Sequence, residues 1–128
     1  MKLLLDTHSF LWWISDDRRL AASARTIMAD PANELFLSAA SGWEISIKCR
    51  IGKLHLAEGP ETFIPRHLSA NSVQSLPVQM DHALRVFSLP PLHRDPFDRL
   101  LVAQSQLEGM PLITADPLVS QYAVEVRW

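Results

Sequence analysis

Leu3, Leu4 and Leu5 form a continuous apolar run that stops at Asp6, and a run with no polar alternation reads as a strand buried on both faces of a parallel sheet. Directly after it Phe10, Trp13 and Ile14 recur at helical spacing. The pattern returns twice. Leu35 to Leu37 leads through Ser38 into SAASGWEISIKCRIGKL, where Trp43, Ile47 and Ile51 repeat at every fourth residue, and MPLIT follows a helical segment that ends at Gly109. Short apolar strands separated by helices specify an α/β layer fold around a mostly parallel sheet.

The remaining segments fit that alternation. Ser15, Asp16 and Asp17 break the first helix and cap an alanine-rich helix from Arg18 to Ala29, which Asp30 and Pro31 stop. Gly52 suits a helix end. A short helix is expected over residues 60 to 71, a weak strand from Val73 to Val78 despite Pro77, and a helix in MDHALRVFSL up to Pro90 and Pro91. A helix then runs to about Glu108, Asp116 and Pro117 start a last short helix, and Val124, Val126 and Trp128 alternate as an edge strand would. At 128 residues the chain is expected to form one domain, residues 1–128, with a core that needs no staples.

Composition narrows the function classes. Cys49 is the single cysteine, which excludes an internal disulfide and a thiolate zinc cage. A net charge of −2 provides no global basic field for coating DNA, although a local Lys/Arg cluster could still serve one RNA strand. Asp6 and His8 interrupt the hydrophobic N-terminal stretch, no small-residue cleavage site follows, and no segment approaches the ~20 apolar residues of a membrane span. The expectation is a soluble, cytoplasmic protein.

Ligands of open α/β sheets collect where strands pass into helices, and that rule selects acids. Asp6 closes the first strand, Glu44 lies early in the helix after the second, Asp95 and Asp98 begin the helix in LHRDPFDRLLVAQ, and Asp116 follows the strand Leu112 to Thr114. In a parallel sheet these edges coincide. Crowded carboxylates repel and raise one another's pKa unless a cation is present, and oxygen ligands without cysteine or paired histidines suit Mg²⁺ or Mn²⁺ rather than zinc. Such a centre suits phosphodiester hydrolysis.

Structural roles compete for several of these acids. Asp-Pro is a good helix start, and it occurs at Asp30, Asp95 and Asp116, the first of which marks only a turn. Asp95 fits an N-cap, with Pro96 at N1 and Asp98 at N3 and Phe97, Leu100, Leu101 and Leu107 lining the buried face. Spaced three apart, Asp95 and Asp98 share a face, and counting alone leaves open which one points to the sheet edge. Glu44 could simply pair with Lys48 at i, i+4. Asp6 is harder to dismiss, because a charge directly after an apolar strand needs a partner or solvent.

Taken in order, LLLDTHSFLWW, SAASGWEISIKCRIGKL, DPFDRLLVAQSQLEGMPLITAD and the terminal strand resemble a PIN-domain protein, in particular the VapC-type ribonuclease toxins of bacterial toxin–antitoxin pairs. The likeness spans essentially the whole chain, with residues 57 to 91 the least diagnostic. It implies a five-stranded parallel sheet flanked by helices, and an acidic pocket that binds Mg²⁺ or Mn²⁺ and cleaves single-stranded RNA without a covalent intermediate. By matching positions it implies Asp6, Glu44, Asp98 and Asp116 as the catalytic, metal-binding acids, with Thr7 and Thr114 in support. Asp95 is an extra acid one turn away that could hold outer-shell water.

His8 could touch the substrate, or be packed or solvated. Lys48, Arg50 and Lys53, the densest basic stretch, could steer RNA phosphates or form an ordinary solvated helix face. The resemblance further implies a homodimer and a small antitoxin whose C-terminal segment blocks the pocket, landing on the apolar helices near residues 10 to 14 and 43 to 51. Of Trp12 and Trp13, only one can face the core.

Rival readings fail at identifiable positions. A signalling receiver domain wants paired acids after its first strand and a lysine after a late one, where this chain has Asp-Thr-His and Thr-Ala-Asp. A haloacid-dehalogenase-like phosphatase needs an aspartate where His8 stands. A PIN fold that binds RNA or a partner without cleaving is the remaining alternative, and the presence of all four family acids speaks against it.

Overall fold

Each apolar run becomes a strand and each periodic segment a helix. The computed structural model describes residues 1–128. In chain order it contains β1 (Lys2–Leu5), α1 (Thr7–Ile14), α2 (Ala22–Ala29), β2 (Glu34–Ser38), α3 (Ala39–Arg50), α4 (Pro60–Ala70), β3 (Val73–Leu76), α5 (Met80–Arg85), α6 (Pro96–Glu108), β4 (Leu112–Ile113) and β5 (Val126–Arg127), with 3-10 turns at Val86–Ser88 and Val119–Gln121. The strands form one five-stranded sheet in the order β3-β2-β1-β4-β5. Every pairing is parallel, as the alternation of strands and helices requires.

Successive side chains of a strand point to opposite faces, and here both faces are apolar because helices cover both. Leu3 and Leu5 of β1 join Leu35, Leu37 and Ile113 in a core closed by Phe10, Ala24, Met28 and Ile45 from α1, α2 and α3. Leu4, Phe36 and Leu112 face the other way, onto Leu101, Val102 and Ala103 of α6 with Val119 and Tyr122. No helix is long and apolar enough to cross a membrane.

The winding creates the site. From β1 the chain steps outward through β2 to β3, then returns past β1 to β4 and β5. The direction therefore reverses between β1 and β4, leaving a crevice beyond their carboxyl ends. Asp6 N donates to Ile113 O at 3.1 Å and Ser9 Oγ to the same carbonyl at 3.1 Å, so the start of α1 is tied to the end of β4.

Several boundaries differ from the sequence reading for local reasons. The second helix begins at Ala22, not Arg18, because Asp17 Oδ1 accepts from Arg19 N at 2.9 Å in an Asx-turn, and Asp16 sits at φ 53°. The third strand ends at Leu76, before Pro77. The helix after it stops at Arg85 and tightens into a 3-10 turn. The segment after Asp116 forms only the 3-10 turn at Val119–Gln121. The buried face of α6 is Leu101 to Ser105, whereas Leu107 is exposed and Phe97 and Leu100 are half-buried.

Candidate active site

Asp6 leaves β1 as the N-cap of α1, and its Oδ1 accepts from Ser9 N at 2.7 Å. This satisfies one orphan donor of the helix and fixes the carboxylate at the crevice. Only 7% of the residue is exposed. Thr7 is the next residue, buried, and its Oγ1 donates to Glu44 Oε1 at 2.6 Å while lying 2.9 Å from Ser41 Oγ. Glu44 itself is 3% exposed, and Lys48 Nζ holds its Oε2 at 2.6 Å. The i, i+4 pair is thus real, and it does not remove Glu44 from the pocket: the buried carboxylate has a hydroxyl on one oxygen and an ammonium on the other.

Asp95 is the N-cap of α6, its Oδ1 accepting from Phe97 N at 2.9 Å and from Asp98 N at 3.1 Å. One carboxylate oxygen is thereby committed to the helix end. Asp98, one turn on, accepts no such bond. Its carboxyl is pushed up from 3.8 to about 7, first by burial and then by the charges of Asp95, Asp6, Glu44 and Asp116. Asp98 is therefore the acid on which the field of all four others converges. At the far wall Asp116 N donates to Thr114 Oγ1 at 3.1 Å, and Asp116 Oδ1 accepts from Leu118 N at 2.9 Å.

The charges of Asp6, Glu44, Asp95 and Asp116 all reach Asp98, so the five acids lie near one another. No three His, Cys, Asp or Glu side chains close on a single ion-sized point, so the pocket is an acidic basin and not an all-protein cage. That fits Mg²⁺ or Mn²⁺, which take one or two carboxylates and keep several waters. An oxygen-only donor set with one acid forced toward neutrality is matched to an added cation, which would relieve the repulsion and return Asp98 to its charged form.

The basic residues do not form one patch. Lys48 is engaged by Glu44, the i, i+4 partner that the spacing offered. Lys48 and Lys53 line a groove of about 800 Å³ that also carries Thr7, His8 and Trp12, whereas Arg50 lines a different one with Leu54 and Ile64. Two residues apart on α3, Lys48 and Arg50 point to different sides of the helix. His8 is exposed and its ring lies 5.6 Å from that of Trp12, over which Arg19 stacks at 5.0 Å. Trp12 and Trp13 are both half-buried.

Sequence reasoning passed over His93. Its ring is 8% exposed, with Nε2 3.7 Å from Asp98 Oδ2 and Nδ1 2.7 Å from the hydroxyl of Tyr122. Its place two residues before Asp95 was a signal. Tyr122, on the segment between β4 and β5, offered none. The apolar stripe that the spacing marks on α3, Trp43, Ile47 and Ile51, points outward, at 62%, 37% and 58% exposed, while Ala40, Ser41, Glu44 and Ile45 face in.

Comparison with known proteins agrees with this architecture. A family model described as PIN domain matches residues 3–125. Ribonuclease VapC16 of Mycobacterium tuberculosis (strain ATCC 25618 / H37Rv) is 41% identical over 69 residues, a match covering 51% of this chain and 48% of that protein, so about half of that relative's length is spanned. Ribonuclease VapC22 of the same organism is 28% identical over 115 residues, covering 89% of this chain and 86% of that protein. Among solved structures, a chain of VapBC2 from Rickettsia felis, bound to a DNA fragment from their promoter, superimposes with a TM-score of 0.73 at 14% identity, covering 98% of this chain and 97% of that one.

Proposed function

The chain belongs to the PIN domain family, and on that premise we propose that it is a metal-dependent endoribonuclease cleaving single-stranded regions of RNA, the toxin of a toxin–antitoxin pair. The observation that carries this reading is the convergence of Asp6, Glu44, Asp95 and Asp116 on Asp98, whose carboxyl their charges and its burial raise to about 7. A basin of negative charge repels RNA phosphates on its own. It becomes an RNA-cleaving centre only with a divalent cation in it.

Asp6, Asp98 and Asp116 would hold the ion, one or two of them directly and the rest through its waters. Glu44, paired with Lys48, completes the acidic cluster. When bound, a divalent cation lowers the pKa of an attacking water and stabilises the leaving oxygen. Thr7 keeps Glu44 aimed along the wall, the α1 cap fixes Asp6, and Asp95 holds the first turn of α6 so that Asp98 faces the basin. Lys53, in the groove that also holds His8 and Trp12, would guide the phosphate backbone, and Trp12 gives an aromatic face for a base. Arg50 contributes from the neighbouring groove.

The exposed stripe of Trp43, Ile47 and Ile51 supports a protein partner, since clustered apolar surface marks an interface. The antitoxin is that partner, a homodimer is the working assembly, and the cytoplasm is the place of action. Named ribonucleases among the relatives support this reading. Its test is cleavage of total cellular RNA by purified protein with Mg²⁺, with Mn²⁺ and with chelator, beside Asp6→Asn and Asp98→Asn. Metal-dependent fragments absent from both variants are expected. Fragments that persist in both variants would refute this active site, and a folded, metal-loaded protein that cleaves no RNA would place it among the non-cleaving PIN folds.

A further inference from the structure

We propose that His93 is a positioning residue for Asp98, held by Tyr122 and Arg99 in the tautomer whose Nε2–H faces that carboxylate. The inference rests on the reading of Asp98 as a metal ligand. A guanidinium can only donate, and Arg99 NH1 lies 2.9 Å from the Tyr122 hydroxyl oxygen. That oxygen is therefore an acceptor toward Arg99, and its single proton must go elsewhere. The ring nitrogen His93 Nδ1 stands 2.7 Å away, and in the proposed tautomer it accepts that proton. A histidine nitrogen that accepts is unprotonated, which puts the ring proton on Nε2.

Nε2 is buried and has no hydrogen-bond partner. Its nearest anionic neighbour is Asp98 Oδ2 at 3.7 Å, beyond a hydrogen bond but within reach of a small rotation of the carboxylate. The donor of the proposed tautomer is thus aimed at Asp98. The relay that aims it is rigid. Arg99 is clamped by Pro90 O at 2.9 Å, Val86 O at 3.3 Å and Leu89 O at 3.4 Å, and the rings of His93 and Tyr122 meet edge-on at 5.3 Å. Asp95, whose Oδ1 serves the α6 cap, makes no ion-pair contact with the imidazole within 4 Å. A hydrogen bond on Asp98 Oδ2 would fix the carboxylate plane and leave its other oxygen to the pocket, the arrangement by which outer donors orient ligating carboxylates.

The test uses the intact chain and needs no RNA. In metal-free wild type at pH 8, ¹⁵N correlation of the imidazole should show protonated Nε2 and bare Nδ1 for His93, and Tyr122→Phe should mix the tautomers. In Mn²⁺ titrations His93→Leu should bind about 10- to 100-fold more weakly at a near-unchanged melting temperature. His93→Gln, which restores a donor near Nε2, should recover most of that loss. Should His93→Leu fail to fold, Tyr122→Phe carries the comparison, with weaker Mn²⁺ binding expected. Protonated Nδ1 in wild type, His93→Leu or a folded Tyr122→Phe binding as tightly as wild type, or no recovery in His93→Gln would each overturn the inference alone. Wild type that binds no Mn²⁺ would overturn the metal reading of the pocket and this inference with it.

Discussion

Replacing Asp98 by asparagine should make the metal-free protein more stable at alkaline pH while destroying its function. In the unfolded chain the carboxyl titrates near 3.8, and in the fold at about 7. Between those values the folded protein holds the extra proton, so stability falls as pH rises from about 4 to about 7 and the loss is complete above that. A shift of this size corresponds to about 4 kcal/mol at roughly 1.4 kcal/mol per unit. Because 22% of the side chain remains exposed, solvent screening lowers the expected figure to about 2–3 kcal/mol. Asparagine cannot ionise and escapes the whole term. Urea unfolding in chelator should therefore show Asp98→Asn more stable than wild type by about 2–3 kcal/mol at pH 8, with the difference vanishing near pH 4. Saturating Mg²⁺ should reverse the order at pH 8, since a bound ligand stabilises only the protein that binds it. A difference independent of pH, or none at pH 8, would refute the account of Asp98 as the acid carrying the repulsion of the basin.

Substitutions at three further positions separate scaffold from chemistry. Asp95→Ala removes the α6 cap and should cost about 1 kcal/mol in chemical denaturation, while Asp95→Asn keeps the cap and should retain most of the RNA cleavage that Asp98→Asn loses. Thr7→Val takes the hydroxyl from buried Glu44 and should cost about 1.5–3 kcal/mol, measured as a shifted urea midpoint with an unchanged slope. Gly109→Ala meets no atom within 4 Å but must keep φ 64°, so the left-handed C-cap of α6 should lose about 1 kcal/mol in thermal unfolding, with RNA cleavage unaffected below the transition.

What the sequence by itself determined is local. The runs Leu3 to Leu5 and Leu35 to Leu37 are strands because nothing in them tolerates water on either side. Asp95 is a cap because a side-chain oxygen reaches amides two and three residues ahead. The acids at the strand ends, and through them the family, were readable for the same reason, since each motif lies within a few consecutive residues. The tertiary structure alone decided which way faces turn and which distant groups meet. An apolar residue at every fourth position marks a stripe on α3 without saying whether the stripe looks in or out, and the sheet took Ile45 and Glu44 while Trp43, Ile47 and Ile51 went to the surface. Lys48 was equally free to meet RNA or Glu44, and the burial of Glu44 drew it inward. His93 meets Tyr122 only because the chain, on leaving α6, crosses through β4 and brings the segment before β5 back to the start of α6. Such contacts depend on the register of parallel strands joined by long crossovers, and no short stretch of residues contains that register.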